Sequence, residues 1–421
     1  MKVAVVGSGV SGLVAAWLLH EDHDVTVFEA DARIGGHVHT VDVPEEAADG
    51  STRTHAVDTG FIVFNERTYP NFLKLLRRLG VAWRKSDMSF SVKCERTGLE
   101  YNGTSLDTLF AQRRNLVSPR FLRMVRDILR FNRDATRFAR NGVGDDVTTL
   151  GAFVDRMGYS EWFVEKYLVP MGSAIWSAEP AGIRAFPFRT FARFFDHHGM
   201  LTVDDRPDWL VVEGGSRAYV EALVRPFRDR IRTSSPVRAV RRFDDRVEVV
   251  TDAAGAERFD HVILAAHADQ TLRMLEDATP EERDVLGAFR YQPNDTVLHA
   301  DASILPRRRK AWASWNYHLE PEETRRTVVT YWMNRLQGLD ASRDYCVTLN
   351  RDHAIDPDAV LGRYLYEHPI FTREAVARQP SAARLNGRNR TSFAGAYWGY
   401  GFHEDGVKSA LAACRPLGKD L

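Results

Sequence analysis

The sequence predicts an α/β protein of two interleaved domains, each assembled from separated pieces of the chain. Three observations support this prediction. Residues 1–30 follow the strand, helix, strand pattern of one βαβ unit. Residues 68–198 are mostly helical and aromatic, and α/β sequence resumes near Val211. A chain of 421 residues is also long enough for two or three domains.

The composition is globular and excludes several classes of protein. Basic and acidic residues are equal at 57 each, so net charge gives no indication of a nucleic-acid partner. Cys94, Cys346 and Cys414 lie too far apart for a disulfide framework or a CxxC metal site, and we expect no metal. No apolar run approaches the roughly 18 residues of a spanning helix. The apolar start is too short for a signal peptide, so we expect a cytoplasmic protein.

A glycine-rich loop follows the first predicted strand, Lys2 to Val6, and opens the first helix. In this context the GxGxxG spacing predicts a dinucleotide site, because its glycines allow a tight turn, approach to a pyrophosphate and close helix packing. The helix start offers free N–H groups to phosphate, and an acid ending the second strand can bind the ribose hydroxyls. The candidate residues are Gly7, Gly9, Val10, Ser11, Gly12 and Glu29.

Two further glycine segments favour a long, extended dinucleotide. Arg33-Ile34-Gly35-Gly36-His37 follows the second strand directly, and its Gly35–Gly36 pair removes side chains where a cofactor would lie on the backbone. Arg33 can offset phosphate charge. Thr59 and Gly60 form another point of close approach after a strand edge. An ordinary glycine turn is the alternative for the first segment.

The remaining elements are predicted from periodicity and from glycine and proline breaks. Pro170-Met171-Gly172 is one predicted break. We predict helices over residues 68–80, 105–141, 148–168, 186–198, 217–227 and 405–414, and strands over 237–240, 247–250, 259–266 and 393–395, with strand-rich sequence over 296–349.

Five segments, in order, carry a family resemblance: GSGVSGL, FEADARIGGH, VEGGSRAYVEAL, FDHVILAAHADQ and FAGAYWGYGFHEDGVKSAL. Together they resemble the flavin-containing amine oxidase and phytoene desaturase superfamily over the full chain. The resemblance implies a Rossmann-type FAD-binding domain interleaved with an α+β substrate domain. It places the FAD-binding domain at 1–65, 206–290 and 386–421, and the substrate-binding domain at 66–205 and 291–385.

Other segments, including VDTGFIVFNERTYPNF, AIWSAEP and SWNYHL, resemble one branch of that superfamily. Its members are NAD/FAD-binding proteins associated with cyclopropane-fatty-acyl synthases, and some relatives desaturate methylated acyl chains on phospholipids. The branch implies an FAD-dependent oxidoreductase acting on a lipid acyl chain, with a lipid methyltransferase as a possible partner. The alternatives are a flavin amine oxidase for a small amine, or a non-catalytic flavoprotein accessory to a lipid methyltransferase.

The resemblance also implies how FAD is held without a covalent bond. Val10 and Ser11 would donate backbone N–H groups to the diphosphate, Glu29 would hold the adenosine ribose, and Val237 would contact adenine. Ala396 stands where relatives usually carry an acid. The residues implied at the ribityl chain and flavin pyrimidine are Gly395, Ala396, Glu404, Asp405 and Gly406, and those of an aromatic cage are Trp398, Tyr400 and His403.

His299 is the candidate catalytic residue. Relatives usually place a Lys facing flavin N5 on the strand that aligns with Thr296-Val297-Leu298-His299, and this chain has His299 there instead. With an ordinary pKa of about 6.5, a histidine can accept the proton that desaturation releases. Asp301 would share its strand face. The alternative is a structural histidine inside the strand.

A basic helix is predicted between residues 113 and 140, where nine Arg stand against two Asp. Arg120, Arg123, Arg126, Arg130, Arg133, Arg137 and Arg140 follow three- and four-residue steps and so share one face. The helix spanning Arg120 to Arg140 can lie on an anionic membrane surface, giving a peripheral protein at the inner face of the membrane. Equally, its apolar face can pack on its own domain. Nucleic acid is disfavoured because the aromatics lie away from the arginines.

Overall fold

The computed structural model describes residues 1–46, 49–141, 148–202, 206–321 and 326–421. The strands are β1 Lys2–Val6, β2 Asp24–Phe28, β3 Thr40–Glu46, β4 Thr52–Asp58, β5 Val63–Asn65, β6 Trp83–Ser86, β7 Phe90–Cys94, β8 Leu99–Asn102, β9 Trp209–Val212, β10 Ile231–Arg232, β11 Val237–Arg242, β12 Val247–Thr251, β13 Gly255–Phe259, β14 His261–Leu264, β15 Arg290–His299, β16 Trp315–Leu319, β17 Val329–Trp332, β18 Cys346–Leu349, β19 Val360–Ile370 and β20 Thr391–Phe393. The α-helices are α1 Val10–Leu19, α2 Pro70–Leu79, α3 Leu106–Leu109, α4 Pro119–Asn141, α5 Leu150–Arg156, α6 Glu161–Phe163, α7 Val169–Trp176, α8 Pro180–Ala185, α9 Phe188–His197, α10 Arg217–Val224, α11 Ala268–Met274, α12 Pro280–Leu286, α13 Met333–Leu336, α14 Arg373–Arg378, α15 Ala382–Leu385 and α16 His403–Cys414.

A five-stranded parallel sheet forms the first domain, in the order β10-β2-β1-β14-β20. Its strands come from three separated pieces of chain, as the interleaved Rossmann-type prediction requires. Val3, Ala4 and Val5 of β1 are fully buried, because a central parallel strand is covered on both faces. α1 and α16 pack together on the sheet. The predicted hairpin appears as β11 and β12, extended by β13.

A seven-stranded mixed sheet, in the order β19-β15-β18-β17-β16-β7-β8, forms the second domain together with the central helices. β15 and β19 are antiparallel along their length, from Arg290 opposite Ile370 to His299 opposite Val360. β19 lies beyond the strand-rich region that the sequence predicted. The long pairing matters for the site, because one end of β19 reaches the first domain.

The predicted boundary at residue 66 does not follow the packing. Phe72, Leu73 and Leu76 of α2 belong to the core formed by α1, α10 and α16. β6 pairs with β9 of the returning chain. The segment containing α2 and β6 therefore packs on the FAD side, while the chain from β7 onward builds the second domain.

Pro170 lies inside a helix, so the predicted break there is wrong. A π-helical turn, Val164–Leu168, joins α6 to α7, and Pro170 follows it. Proline has no N–H, so it cannot donate to the carbonyl of Lys166 one turn earlier. The Tyr101 hydroxyl donates to that carbonyl instead, at 2.7 Å. A distant strand thus satisfies the acceptor that proline leaves open.

Helix α4 has two distinct faces, and its inner face packs on its own domain. Phe121, Met124, Phe131 and Ala135 are at most 1% exposed. Most of the apolar face predicted for a membrane therefore packs in the protein core, Leu129 is the exposed exception, and the arginines lie outside. Within the described residues, no helix is long and apolar enough to cross a membrane.

Candidate functional site

A cavity of about 780 Å³ lies between the two domains. Its first end is formed where β1, β14 and β20 finish, with Gly7, Ala265 and Gly395 in its wall. Ligands of open α/β sheets bind at such carboxyl ends of parallel strands. The second end is formed by side chains of the helical domain and the mixed sheet. We call these the cofactor end and the substrate end.

The first glycine loop has the geometry expected for a dinucleotide. Gly7 has a φ of +103°, and a Cβ on Gly12 would stand 1.9 Å from the Gly7 carbonyl oxygen, so strand and helix meet without room for a side chain. A Cβ on Gly9 would meet no protein atom within 4 Å, although Gly9 lies in the cavity wall. The fold therefore leaves space over Gly9, beside the start of α1, that suits a diphosphate.

The second glycine segment lies against the first. A Cβ on Gly36 would stand 3.0 Å from Gly9 Cα, and one on Gly60 would stand 2.0 Å from the His37 carbonyl oxygen. Arg33 lines the cavity, but its guanidinium donates to the carbonyls of Gly36 at 2.7 Å and Val38 at 2.6 Å. Arg33 thus braces the loop as well as adding positive charge. Gly35 and His37 also line the cavity.

Glu29 and Val237 both line the cavity. One Glu29 carboxylate oxygen accepts from the Ser8 backbone N–H at 2.8 Å and from the Ser8 hydroxyl at 2.5 Å. The other accepts from Asp31 N–H at 2.9 Å. These bonds fix the carboxylate beside the glycine loop. Its contact with a ribose stays a prediction.

The start of α16 departs from the predicted contacts. Gly395 and Ala396 line the cavity, but Glu404, Asp405 and Gly406 do not. Glu404 accepts from the backbone N–H groups of Asn71 at 3.3 Å and Phe72 at 3.0 Å, so it caps α2.

Asp405 and Gly406 instead position the helix. Asp405 accepts from the N–H groups of Tyr400 and Phe402, at 3.0 and 3.1 Å, and burial raises the pKa of its carboxyl to about 6. A Cβ on Gly406 would stand 2.6 Å from Val10 Cγ1, so glycine lets α16 approach α1. Gly12, Glu404 and Asp405 therefore do not line the cavity themselves. They shape it by fixing the backbone around it.

Thr59 and His403 hold parts of the wall in place. Thr59 lies outside the lining, and its hydroxyl is 2.7 Å from the Tyr366 hydroxyl, which lines it. The His403 ring stacks on Phe61 with centroids 3.4 Å apart, and its Nε2 is 2.9 Å from the Tyr219 hydroxyl. Burial lowers the pKa of His403 to about 3, so the ring is neutral. Of the predicted cage, His403 and Tyr400 line the cavity and Trp398 does not.

His299 lies away from the cavity, which corrects the catalytic prediction. Tyr291, at the other end of β15, lines the cavity, and eight residues of strand span about 26 Å. His299 Nδ1 accepts from the Asp301 N–H at 3.1 Å, so its Nε2 carries the proton and donates to Thr348 Oγ1 at 2.7 Å. Burial lowers the pKa of His299 to about 4. Both ring nitrogens are used, and His299 is a structural histidine.

β19 contributes cavity residues that the sequence interpretation missed. Tyr366, Glu367 and His368 line the cofactor end, and the His368 ring lies 5.3 Å from that of His37. His267 also lies there, with Nδ1 3.4 Å from Glu367 Oε2. The alternation of Tyr364, Tyr366 and His368 is the period-two signal that could have identified this strand.

A chain of amide groups fixes the tautomer of His368. Asn350 accepts from the Asp295 N–H and donates to the Thr327 carbonyl, so its orientation is set by backbone. Asn350 then donates to Asn294 Oδ1 at 2.8 Å, and the Asn294 amide donates to His368 Nδ1 at 3.0 Å.

The proton of neutral His368 is therefore on Nε2. Burial is the main cause that lowers the pKa of His368 to about 4, with His267 adding to it. The imidazole is thus a neutral donor in the wall of the cofactor end.

The substrate end is apolar and aromatic. Its lining residues include Met88, Ile175, Trp176, Phe194, His198, Met200, Trp209, Trp315, Tyr331, Phe371, Tyr400 and Phe402, with Ser177 beside Tyr331. The carboxylates among the described lining residues are Glu29, Asp31 and Glu367, and all three stand at the cofactor end. A cationic substrate would therefore find aromatic faces but no acid at the substrate end.

His198 is the imidazole of the substrate end, and sequence analysis did not single it out. It follows α9, and its Nδ1 donates to the Phe194 carbonyl at 2.9 Å. A carbonyl only accepts, so neutral His198 carries its proton on Nδ1 and leaves Nε2 as an acceptor. Its ring stacks on Phe194 at 3.9 Å and lies 6.2 Å from Phe402, next to the start of α16. Burial lowers its pKa to about 4.

Comparison with known proteins supports a flavin site. Residues 10–299 match the family described as flavin-containing amine oxidoreductase. A 40-residue stretch is 60% identical to an L-amino-acid oxidase of Mus musculus, a match covering 9% of this chain and 6% of that protein.

Two solved structures share the fold along nearly the whole chain. Cyclohexylamine oxidase from Brevibacterium oxydans is 16% identical, with a TM-score of 0.67 and 99% of each chain covered. The CLA-producing fatty acid isomerase from P. acnes is 15% identical, with a TM-score of 0.65, covering 97% of this chain and 96% of the isomerase.

Proposed function

The chain belongs to the flavin-containing amine oxidoreductase family and is an FAD-dependent oxidoreductase, and from that premise we propose that it desaturates, or otherwise oxidises, an acyl chain of a membrane phospholipid. The cavity fits this cofactor, because the open space over Gly9 and the glycine contacts at Gly36 and Gly60 form a cradle for an extended dinucleotide.

One observation carries the choice of substrate. The substrate end is lined mainly by indole, phenyl, thioether and aliphatic groups, joined by the His198 imidazole and the Tyr331 and Tyr400 hydroxyl groups, and by no carboxylate of the described residues. Burying a hydrocarbon chain against such surfaces is favourable by about 0.8 kcal/mol per methylene. A buried ammonium without a carboxylate would rely on cation–π attraction to rings such as Trp176 or Tyr400. An acyl chain is therefore the better match, and a small amine is the second candidate.

Bound FAD supplies a hydride acceptor, so that loss of a hydride and a neighbouring proton from two adjacent carbons leaves a double bond. The protein must hold those carbons and receive the proton. His198 suits the second task, because its Nδ1–H is held by the Phe194 carbonyl and its Nε2 lone pair is unused. Its lowered pKa keeps it unprotonated at neutral pH, where it can accept a proton as a weaker base than a free imidazole.

The phenyl and indole groups of the substrate end would hold the two reacting carbons. Trp176 packs on Phe194 with ring centroids 4.7 Å apart, and the Trp176 indole donates to the Tyr400 carbonyl at 3.2 Å. These contacts hold the wall beside His198 rigid.

Anaerobic mixing of the flavin-loaded protein with candidate substrates tests the proposal. Phospholipids with unsaturated or methyl-branched chains, in mixed micelles, should bleach the flavin and yield a lipid lighter by two hydrogen atoms. Faster bleaching by putrescine, cyclohexylamine or an L-amino acid would favour the amine alternative. Bleaching by none of these would favour the accessory flavoprotein.

A lipid methyltransferase remains the proposed metabolic neighbour, as supplier of a modified acyl chain. Lipid mass spectrometry of cells with and without this protein, with the methyltransferase present, tests that relation. A desaturated methylated chain should appear only when both proteins are present. Equal lipid profiles would contradict the relation without affecting the flavin assignment.

A further inference from the structure

The outer surface at the start of α4 combines exposed apolar side chains with arginines. Nine large apolar side chains of the described residues are exposed, and five lie between residues 106 and 129. We call these five, with the arginines among them, the Arg–Leu surface. Its apolar members are Leu106 (76% exposed), Leu116 (51%), Val117 (81%), Leu122 (43%) and Leu129 (57%).

The pattern along α4 is specific. Leu122 and Leu129 are seven residues apart, so they share one side of the helix, and Arg126 and Arg133 lie within about 60° of them. The buried residues Phe121 and Phe131 lie on the far side. The outer stripe therefore alternates apolar and cationic groups, and it is separate from the apolar face that packs on the core.

The charge of this surface is only partly compensated within the protein. Arg123 lies 4.0 Å from Asp127, and Arg130 is held by Asp134 and by the Tyr159 ring. Arg126 and Arg137 make no ion pair or hydrogen bond with any residue that the structure describes. Residues 113–140 carry nine Arg and two Asp, so the surface is strongly positive.

We propose that the Arg–Leu surface docks the protein on an anionic phospholipid bilayer. Exposed leucine and valine side chains lose unfavourable contact with water when they enter the acyl boundary, and arginines on the same stripe pair with lipid phosphates. Nucleic acid and acidic proteins would match the charge but would leave the five exposed apolar groups in contact with water. The combination of both features selects a membrane as the occupant.

The surface is also one helix away from the substrate end. α4 packs on α9, with the Phe138 and Phe188 rings 4.6 Å apart. Near its C-terminus, α9 turns Phe194 toward the cavity, and His198 follows directly. Docking by α4 would therefore bring the substrate end close to the bilayer. This link rests on the proposed function, whereas the docking itself does not.

Co-sedimentation with vesicles tests the docking without any turnover. Wild-type, flavin-loaded protein should bind phosphatidylglycerol-containing vesicles at low salt and bind pure phosphatidylcholine vesicles far more weakly. The variant R126E/R137E should bind at least about 30-fold more weakly, since each cation near an anionic surface contributes about 1 kcal/mol. Both residues are exposed, so the fold should be kept, as circular dichroism can verify.

Two further variants separate charge from apolar contact. V117S/L122Q/L129Q keeps every charge and should lose the part of vesicle binding that survives added salt. R78E/R283E carries the same charge change on exposed residues of α2 and α12, and should bind like wild type.

Two results would overturn the proposal. The first is unchanged vesicle binding by R126E/R137E. The second is duplex DNA binding as tightly as the anionic vesicles, with no effect of the apolar substitutions. Vesicle binding without flavin bleaching by phospholipid would contradict the proposed function but would still support the docking surface.

Discussion

The two ends of the cavity are built in different ways. The cofactor end includes a stretch of exposed main chain, where Gly7, Gly9 and Gly36 present backbone to the cavity. The substrate end is formed by side chains from several helices and strands that are distant in sequence. A ligand held by backbone leaves a local sequence pattern, because only glycine permits the approach. A ligand held by packed side chains leaves no such pattern.

The difference extends to the histidines. His368 at the cofactor end is fixed as a donor by Asn294, and His198 at the substrate end is fixed as an acceptor by the Phe194 carbonyl. The two rings thus carry their protons on opposite nitrogens. The same side chain thus presents a donor to the cavity at one end and an acceptor at the other.

Replacing His198 should have the largest effect on activity. In H198Q, flavin reduction by an acyl substrate should slow by about 10²- to 10⁴-fold, because the proton acceptor is lost. FAD binding should be unchanged, since His198 lies at the substrate end. Stopped-flow absorbance of the loaded protein measures both quantities.

The pH dependence of the wild type sharpens that test. His198 accepts a proton only when neutral, and its pKa is lowered to about 4, so reduction should be flat at neutral pH and fall as pH drops toward 4. A midpoint near the ordinary histidine pKa of about 6.5 would point to a different base. If H198Q reduced its flavin at the wild-type rate, the proton acceptor would be water or another group rather than His198.

Replacing His299 should destabilise the protein without slowing flavin reduction. H299L leaves the Asp301 N–H without its acceptor and removes one of the two hydrogen bonds of the Thr348 hydroxyl, which should lower the free energy of unfolding by about 1–3 kcal/mol. Urea unfolding measures the loss. Flavin reduction per folded molecule should match wild type, and a rate loss of 100-fold would restore a catalytic role.

Replacing Gly9 should weaken the cofactor and spare the fold. A Cβ there meets no protein atom, so G9A should fold, while overlap with the diphosphate should weaken FAD binding by about 10- to 100-fold. G182A, whose Cβ also meets nothing, lies outside the cavity lining and is the matched control. Equal FAD affinity in G9A and G182A would show that the diphosphate does not bind against this loop.

Replacing His368 should have the smallest effect. H368L removes one neutral donor from the cofactor end, so FAD affinity should fall by about 2- to 10-fold. Titration of the apoprotein with FAD measures this. H353L, at a largely exposed histidine, should leave affinity unchanged. No change in H368L would mean that the donor points past the cofactor.

The sequence predicted those elements best whose structure depends on contacts within one segment. The βαβ unit, the glycine loops and the β11–β12 hairpin appear as predicted. The prediction was wrong where a residue's role depends on its partners. Glu404 caps α2, and Pro170 continues a helix because Tyr101 supplies a donor. Neither partner is near in sequence, so periodicity and spacing carry no trace of them.

The sequence by itself determined the first βαβ unit, its glycine loop and the arginine face of α4, because each is set by periods and spacings within about thirty residues. Tertiary structure alone decided which histidine lies in the cavity. His299 and His198 are both buried, and only the direction of β15 and the packing of α9 place one far from the site and the other in its wall. The two tautomers are set by nearby residues, Phe194 for His198 and Asp301 for His299, whereas position relative to the cavity follows from long-range packing, which the local sequence does not encode.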